Sequence, residues 1–334
     1  MDTSLLIIIL VVALALSFDF INGFHDTANA VATCVSTRAL PPRVAIYMAA
    51  VMNFIGAISF TGVAKTIGGA IADPADLEHG MIIIIATLIA AIIWNLVTWW
   101  YGIPSSSSHA LIGALVGAVI AAAGFNAVNW SGFTDILKAL LVSPIIALTA
   151  GFIMMSLFRY ILSLVPAPPH KVNGGFRTFQ IFTAALQAFT HGTNDAQKAM
   201  GIIMFALVAG GFHQSVDEIP YWVRISCALA MGLGTAVGGW KIIKTVGGKI
   251  MKIEPVNGAA ADLTSAIIIF GFTKLGLPVS TTHVISSAIM GVGAAKRVKS
   301  VKWGTAQKIV VTWIITLPIS AVLASLSYWI IGIL

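Results

Sequence analysis

Two aspartates stand where an apolar chain tolerates them only for a reason. Asp26 lies in a polar run at residues 23–30, Gly-Phe-His-Asp-Thr-Ala-Asn-Ala, and Asp195 in a second run at residues 192–199, Gly-Thr-Asn-Asp-Ala-Gln-Lys-Ala. Apolar stretches flank both. A carboxylate near the centre of a bilayer costs at least about 2.5–3.5 kcal/mol, so it normally has a partner or lines a water-filled site. Neutral oxygens stand beside the acids at Asn29, Thr193 and Asn194, and with freed backbone carbonyls they make an oxygen set suited to a hard cation. The plainer reading is a structural hydrogen-bonded pair.

A second pair of polar runs carries hydroxyls. Residues 104–109 read Pro-Ser-Ser-Ser-Ser-His and residues 278–283 read Pro-Val-Ser-Thr-Thr-His. Each opens an apolar run, which puts Ser105, Ser106 and Ser107, and likewise Ser280, Thr281 and Thr282, at a helix N-terminus. Such an end binds anions through its free N–H groups, and a tetrahedral oxyanion held between two of them meets donors from both sides. The plainer alternative is that these hydroxyls cap their helices or bond across a bundle. Carboxylates and an oxyanion repel, so the two sets share a cavity only with a cation between them. His25, His109, His191 and His283 flank the runs, either as proton relays or as buried groups that orient the loops.

These runs are copies of one another. The aspartates are 169 residues apart, the hydroxyl clusters 174 apart, and Lys65-Thr-Ile-Gly-Gly matches Lys244-Thr-Val-Gly-Gly. The chain is therefore a tandem duplication. Of its 334 residues 58% are hydrophobic and 9% charged, with mean hydropathy +0.96, which excludes a soluble domain and indicates a polytopic membrane protein. Cys34 and Cys227 lie in apolar stretches, so neither a disulfide scaffold nor a cysteine metal site is expected. Residues 1–4 carry no positive charge ahead of the first apolar run, so that run is expected to remain as a span.

Several apolar runs are too short to cross a core that needs roughly 20 helical residues. Runs 4–22 and 27–37 are read as one crossing with an unwound middle at residues 22–25, and runs 179–193 and 196–212 as its counterpart. The segments 81–124 and 257–295 are read as re-entrant hairpins with tips at Pro104 and Pro278, though two full spans remain open for the latter. Fourteen of the 19 Lys and Arg fall in clusters at 38–43, 159–177, 241–252 and 296–308, which should be cytoplasmic. The acidic stretches at 73–78 and 217–218 then fall outside. Both flanks of 257–295 are basic, whereas 81–124 enters from the acidic side. The expectation is an all-α polytopic membrane protein with two inverted-topology repeats, each with a broken helix and a re-entrant helical hairpin. The first repeat spans 1–165, a cytoplasmic linker 166–178, and the second repeat 179–334.

An intramembrane hydrolase using Ser105, His109 and Asp26 is the competing class, but a triad gives each member a separate job and needs one copy. Here every candidate is doubled. A channel is disfavoured because symmetric breaks at mid-depth suit alternating access.

The paired runs resemble the signature motifs of the inorganic phosphate transporter (Pit) family of sodium/phosphate symporters, and the resemblance extends over essentially the whole chain. It implies a cation-coupled symporter for inorganic phosphate, with Asp26, Asn29, Asn194 and Asp195 serving the cation sites. Ser105, Ser106, Ser107, Ser280, Thr281 and Thr282 would surround phosphate. Sodium would be a co-transported ligand, and no cofactor is implied. The chain departs from animal members, which have a glutamate where Asn53 stands and a long cytoplasmic loop where residues 166–177 lie. Family members coupled to protons, carrying metal phosphate, or carrying sulfate share the plan; two acids beside neutral oxygens favour sodium here. The expected setting is the cell inner (plasma) membrane with both termini outside, phosphate, sodium and the bilayer as partners, and no nucleic acid. A homodimer is compatible with it.

Overall fold

Two halves of the chain build the same series of elements. A computed structural model describes residues 3–72, 79–164 and 168–333. The acidic stretch 73–78 and residues 165–167 lie outside them. The first half comprises α1 (Thr3–Ser36), α2 (Pro42–Ser59), α3 (Gly62–Gly69), α4 (Gly80–Tyr101), α5 (Ser107–Ala123) and α6 (Trp130–Leu164). The second comprises α7 (Pro169–Ala209), α8 (Tyr221–Val237), α9 (Trp240–Lys249), α10 (Pro255–Lys274), α11 (Thr281–Lys296) and α12 (Trp303–Ile333). A short 3-10 turn precedes the last helix of each half. No strand occurs among the described residues, and six of the helices are long and apolar enough to cross a membrane. The protein is an all-α membrane protein.

The expected break in the first helix is not there. Helix α1 runs unbroken for 34 residues and α7 for 41, about 51 and 61 Å at 1.5 Å per residue. Residues 169–178, expected as linker, form the first turns of α7. The physical reason lies in spacing. Asp19, Asn22, Asp26, Asn29 and Thr33 are separated by three or four residues and so form one stripe along α1; all are buried. Gln180, Thr183, Gln187, His191, Asn194 and Lys198 do the same on α7. A run that lowers local hydropathy thus need not unwind, because side chains from other helices meet its polar face.

The halves interlock rather than sit side by side. Helix α1 packs on α8 while α7 packs on α2; α5 packs on α12 while α11 packs on α6. The motif glycines make the first crossings possible. A Cβ on Gly23 would strike the Met231 carbonyl of α8, and one on Gly192 the Asn53 carbonyl of α2, so both helix pairs meet backbone to backbone.

Equivalent loops lie at different ends of the molecule. The Asn129 N–H donates to the Ile71 carbonyl (2.8 Å), and its counterpart at Lys302 donates to Ile250 (2.9 Å). The first lies at the end where Gly210 meets Ile8, near the start of α1; the second at the end where Gly247 meets Ser36, where α1 finishes. The latter end gathers basic residues: Arg159 donates to the Ala295 carbonyl (2.8 Å), and Lys296 pairs with Glu254 (2.7 Å).

Candidate functional site

The duplicated runs converge at the centre of the bundle. The turn between α4 and α5 meets the turn between α10 and α11, where the Ser108 hydroxyl donates to the Val279 carbonyl (2.8 Å). Ser106 caps α5 by accepting from His109 N–H (3.1 Å), and Ser280 caps α11 by accepting from His283 N–H (3.3 Å). These two serines therefore do the structural work of N-caps.

The other hydroxyls turn toward the acids. Ser107 donates to Asp26 Oδ2 (3.0 Å), and at the equivalent position of the other half Thr281 donates to Asp195 Oδ2 (3.2 Å). Thr282 also donates to Asp26 Oδ1 (3.1 Å) and accepts from Asn29 Nδ2 (2.8 Å). Ser105 faces elsewhere, donating to Thr98 (2.7 Å) and lying 3.4 Å from His25 Nε2. Asn194 is held by the second turn: its Nδ2 donates to Thr273 (3.0 Å) and its Oδ1 accepts from Val279 N–H (3.2 Å). Of the ten residues singled out from sequence, Asp26, Asn29, Asp195, Ser107, Thr281 and Thr282 thus form one contact group, Ser106, Ser280 and Asn194 brace the turns, and Ser105 sits behind His25.

Asp26 and Asp195 come from opposite halves yet face one space. One oxygen of each and a ring nitrogen of His191 lie within 4.8 Å of one another, and all three residues are buried. The hydrogen bonds define the histidine. Thr235 directs its hydroxyl to the Gly23 carbonyl (3.5 Å), so it accepts from Asn53 Nδ2 (2.9 Å). Asn53 Oδ1 therefore faces His191 Nδ1 (3.0 Å), which must carry the proton. His191 Nε2 lies 3.5 Å from Asp195 Oδ2 and makes no hydrogen bond. Asn22 Oδ1 and Asn29 Oδ1 are likewise buried without a donor. Unsatisfied acceptors beside two carboxylates fit a bound cation, since buried polar groups otherwise find partners.

His25 has a different place. Its Nδ1 contacts Asp26 Oδ1 (2.8 Å) and its Nε2 the Thr98 hydroxyl (3.1 Å), which fixes the ring and the carboxylate it holds. His109 and His283 do not bond to either acid: their rings lie 4.5 Å apart, and Trp313 stacks on His283 at 3.9 Å. The hydrolase arrangement is thereby absent, because His109 Nδ1 is spent on Ser106 (2.9 Å).

Asp19 and Asp262 escaped the sequence reading of the site, whereas the run at 192–199 already placed Lys198 beside Asp195. Lys198 Nζ lies 2.8 Å from Asp195 Oδ1, with neither side chain exposed. Asp19, one turn before Asn22, is fully buried with no hydrogen bond to either oxygen. Asp262 on α10 accepts from Thr33 (2.7 Å) and is also buried. A charge inside an apolar run was the available signal for each.

Comparison with known proteins places the chain among relatives of one family. Residues 22–324 match the model of the phosphate transporter family. A Bacillus subtilis protein named a probable low-affinity inorganic phosphate transporter is 63% identical over 334 residues, covering all of both chains. A Rhizobium meliloti protein of the same name is 47% identical, covering 98% of each. A solved structure titled the sodium-dependent phosphate transporter has a TM-score of 0.87 at 26% identity, covering 98% of this chain and 99% of that one. With matched motifs and a shared fold along its whole length, the chain belongs to the phosphate transporter family, whose members are transporters rather than enzymes.

Proposed function

We propose that the chain is a sodium-coupled symporter of inorganic phosphate that works by alternating access between two inverted repeats. The observation that carries the reading is the convergence of Asp26, Asp195 and His191 Nε2 beneath the hydroxyls of both turns. Asp26, Asp195 and the acceptors of Asn22, Asn29 and His191 would hold sodium, with Asn194 fixing the turn beside them. Ser107, Thr281 and Thr282 would bind phosphate, helped by the N–H groups that open α5 and α11.

The same contacts supply a coupling device. A hydroxyl that donates to a carboxylate has no proton left for phosphate. Sodium at Asp26 replaces the hydroxyls as the partner of the negative charge, which frees Ser107 and Thr282, one donor from each turn. Sodium then raises phosphate affinity, and phosphate must raise sodium affinity by the same factor. The name of the structural neighbour and the oxygen-rich ligand set support sodium. Orientation follows from the basic end, which would be cytoplasmic. Helix α1 starts and α12 finishes at the opposite end, where Tyr328 and Ile333 border the same cavity as His79, so both termini would be outside.

A proton-coupled reading has one specific contact in its favour, the His25–Asp26 pair at 2.8 Å. Proteoliposomes separate the two. Phosphate uptake that follows an imposed sodium gradient at fixed pH is expected; uptake that follows a pH gradient and ignores sodium would refute sodium coupling.

A further inference from the structure

The two halves of the site differ in the residue one turn beyond the aspartate. The 169-residue offset that carries Asp26 onto Asp195 carries Asn29 onto Lys198. Both residues stand one turn beyond their aspartate on a continuous helix, so they approach the carboxylate from the same side. In the first half a neutral amide lies beside Asp26, leaving Asn29 Oδ1 without a donor. In the second an ammonium lies 2.8 Å from Asp195 Oδ1, fully buried.

The other contacts to Asp26 come from His25, Ser107 and Thr282. Among the described residues no lysine or arginine pairs with Asp26, whose one ionisable partner in contact is His25. Asp195 is balanced in full. No hydroxyl, amide or carbonyl hydrogen-bonds to the Lys198 ammonium among the described residues, so the carboxylate's charge is what holds it. A lysine ammonium is a compact point charge on a flexible stem, which makes it a chemical stand-in for a small monovalent cation.

We infer that Lys198 is a tethered cation, occupying at Asp195 the place that a mobile cation takes at Asp26. One half-site is then permanently neutralised, and each phosphate travels with one mobile cation fewer than it would in a site with asparagine in both halves. This rests on the symport reading above. It assigns Lys198 to setting the ion-to-phosphate ratio, and it makes the Asp26 half the one that senses sodium.

The test measures sodium and phosphate uptake together, by double isotope labelling in proteoliposomes, for the parent, Lys198→Asn and Lys198→Arg. Sodium-dependent thermal stabilisation of the purified proteins, without phosphate, gives an independent reading of binding. Lys198→Asn should carry one more sodium per phosphate and show a steeper dependence of stabilisation on sodium, while Lys198→Arg keeps the parent's ratio. An unchanged ratio and an unchanged sodium dependence in Lys198→Asn would overturn the inference. Should that variant aggregate, the charge-neutral Asp195→Asn/Lys198→Asn pair decides: the parent's ratio supports the tethered cation and a different ratio overturns it. Failure of the symport reading shows separately, as parent uptake indifferent to sodium. In that event, sodium dependence acquired by Lys198→Asn still upholds the lysine's role, and its absence ends it.

Discussion

Replacing each aspartate in turn by asparagine should separate two jobs that look alike in sequence. The Asp26 carboxylate is contacted by His25 (2.8 Å), Ser107 (3.0 Å), Thr282 (3.1 Å) and Asn29 (3.4 Å). No lysine or arginine is among them, so Asp26→Asn strands no ammonium, and the fold should lose about 1 kcal/mol, the scale of one altered hydrogen bond. What it removes is the attraction for sodium. At a separation of about 4 Å and an effective dielectric of about 20, that attraction is about 4 kcal/mol. The remaining amide oxygen recovers part of it, so the sodium concentration for half-maximal uptake should rise by roughly 100- to 1,000-fold.

Asp195→Asn should act first on stability. It leaves the Lys198 ammonium buried with no carboxylate beside it, and breaking one side of such a pair costs about 3–5 kcal/mol. Thermal unfolding of purified protein, scanned with and without sodium, reads both effects in one series. Asp26→Asn should unfold near the parent's temperature but lose most of the sodium-induced rise, whereas Asp195→Asn should unfold well below it even without sodium. Equal destabilisation by the two variants would refute the assignment of Lys198 as the partner of Asp195. A parent-like sodium response in Asp26→Asn would refute the assignment of Asp26 as the sodium-sensing acid.

The hydroxyls should also divide by role. Ser106→Ala removes a helix cap and is expected to lower stability by about 1 kcal/mol with phosphate and sodium affinities lowered together, while Thr281→Ala should weaken phosphate uptake and leave sodium-induced stabilisation largely intact; uptake titrations beside thermal scans check this. Gly192→Ala should prevent correct assembly because its Cβ meets the Asn53 carbonyl, whereas Gly174→Ala on the same helix, with open space around it, should express as the parent does. Gel filtration of both variants in detergent is sufficient to tell, and normal behaviour of Gly192→Ala would contradict the close α7–α2 crossing. A cysteine at Lys299 should react with an impermeant thiol reagent only from the cytoplasmic side, and one at Asp217 only from outside; the same side for both would contradict the inverted plan.

Duplication made most of the site legible. Doubled polar runs in an apolar chain pointed to Asp26, Asp195 and the two hydroxyl turns, and all of them meet at the centre of the bundle. Hydropathy alone misled about the backbone, because averaging over a window cannot tell an unwound stretch from a helix with one polar face. The distinction was available in the spacing of Asp19, Asn22, Asp26, Asn29 and Thr33, which fits a helix and not a break. What neither route supplied was the division of labour among the hydroxyls: Ser106 and Ser107 are adjacent and chemically identical, and only the start of α5 decides that one caps the helix and the other reaches Asp26.

Searching by duplication also has a built-in blind spot, since it finds only residues that occur twice. Asp19 maps onto Ala188 by the 169-residue offset, and Asp262 maps onto Leu88 by the 174-residue offset, so each acid stands alone in its half. Lys198 likewise has no basic counterpart and stands opposite Asn29. Yet a transporter whose halves were chemically identical would have two equal cation half-sites and no means of setting a ratio other than their number. The positions at which the copies disagree are therefore where specificity can be built without disturbing the shared scaffold. An ammonium fixed beside Asp195, facing an amide beside Asp26, gives one fold two unequal acids, and the inequality tells the ion from the tether.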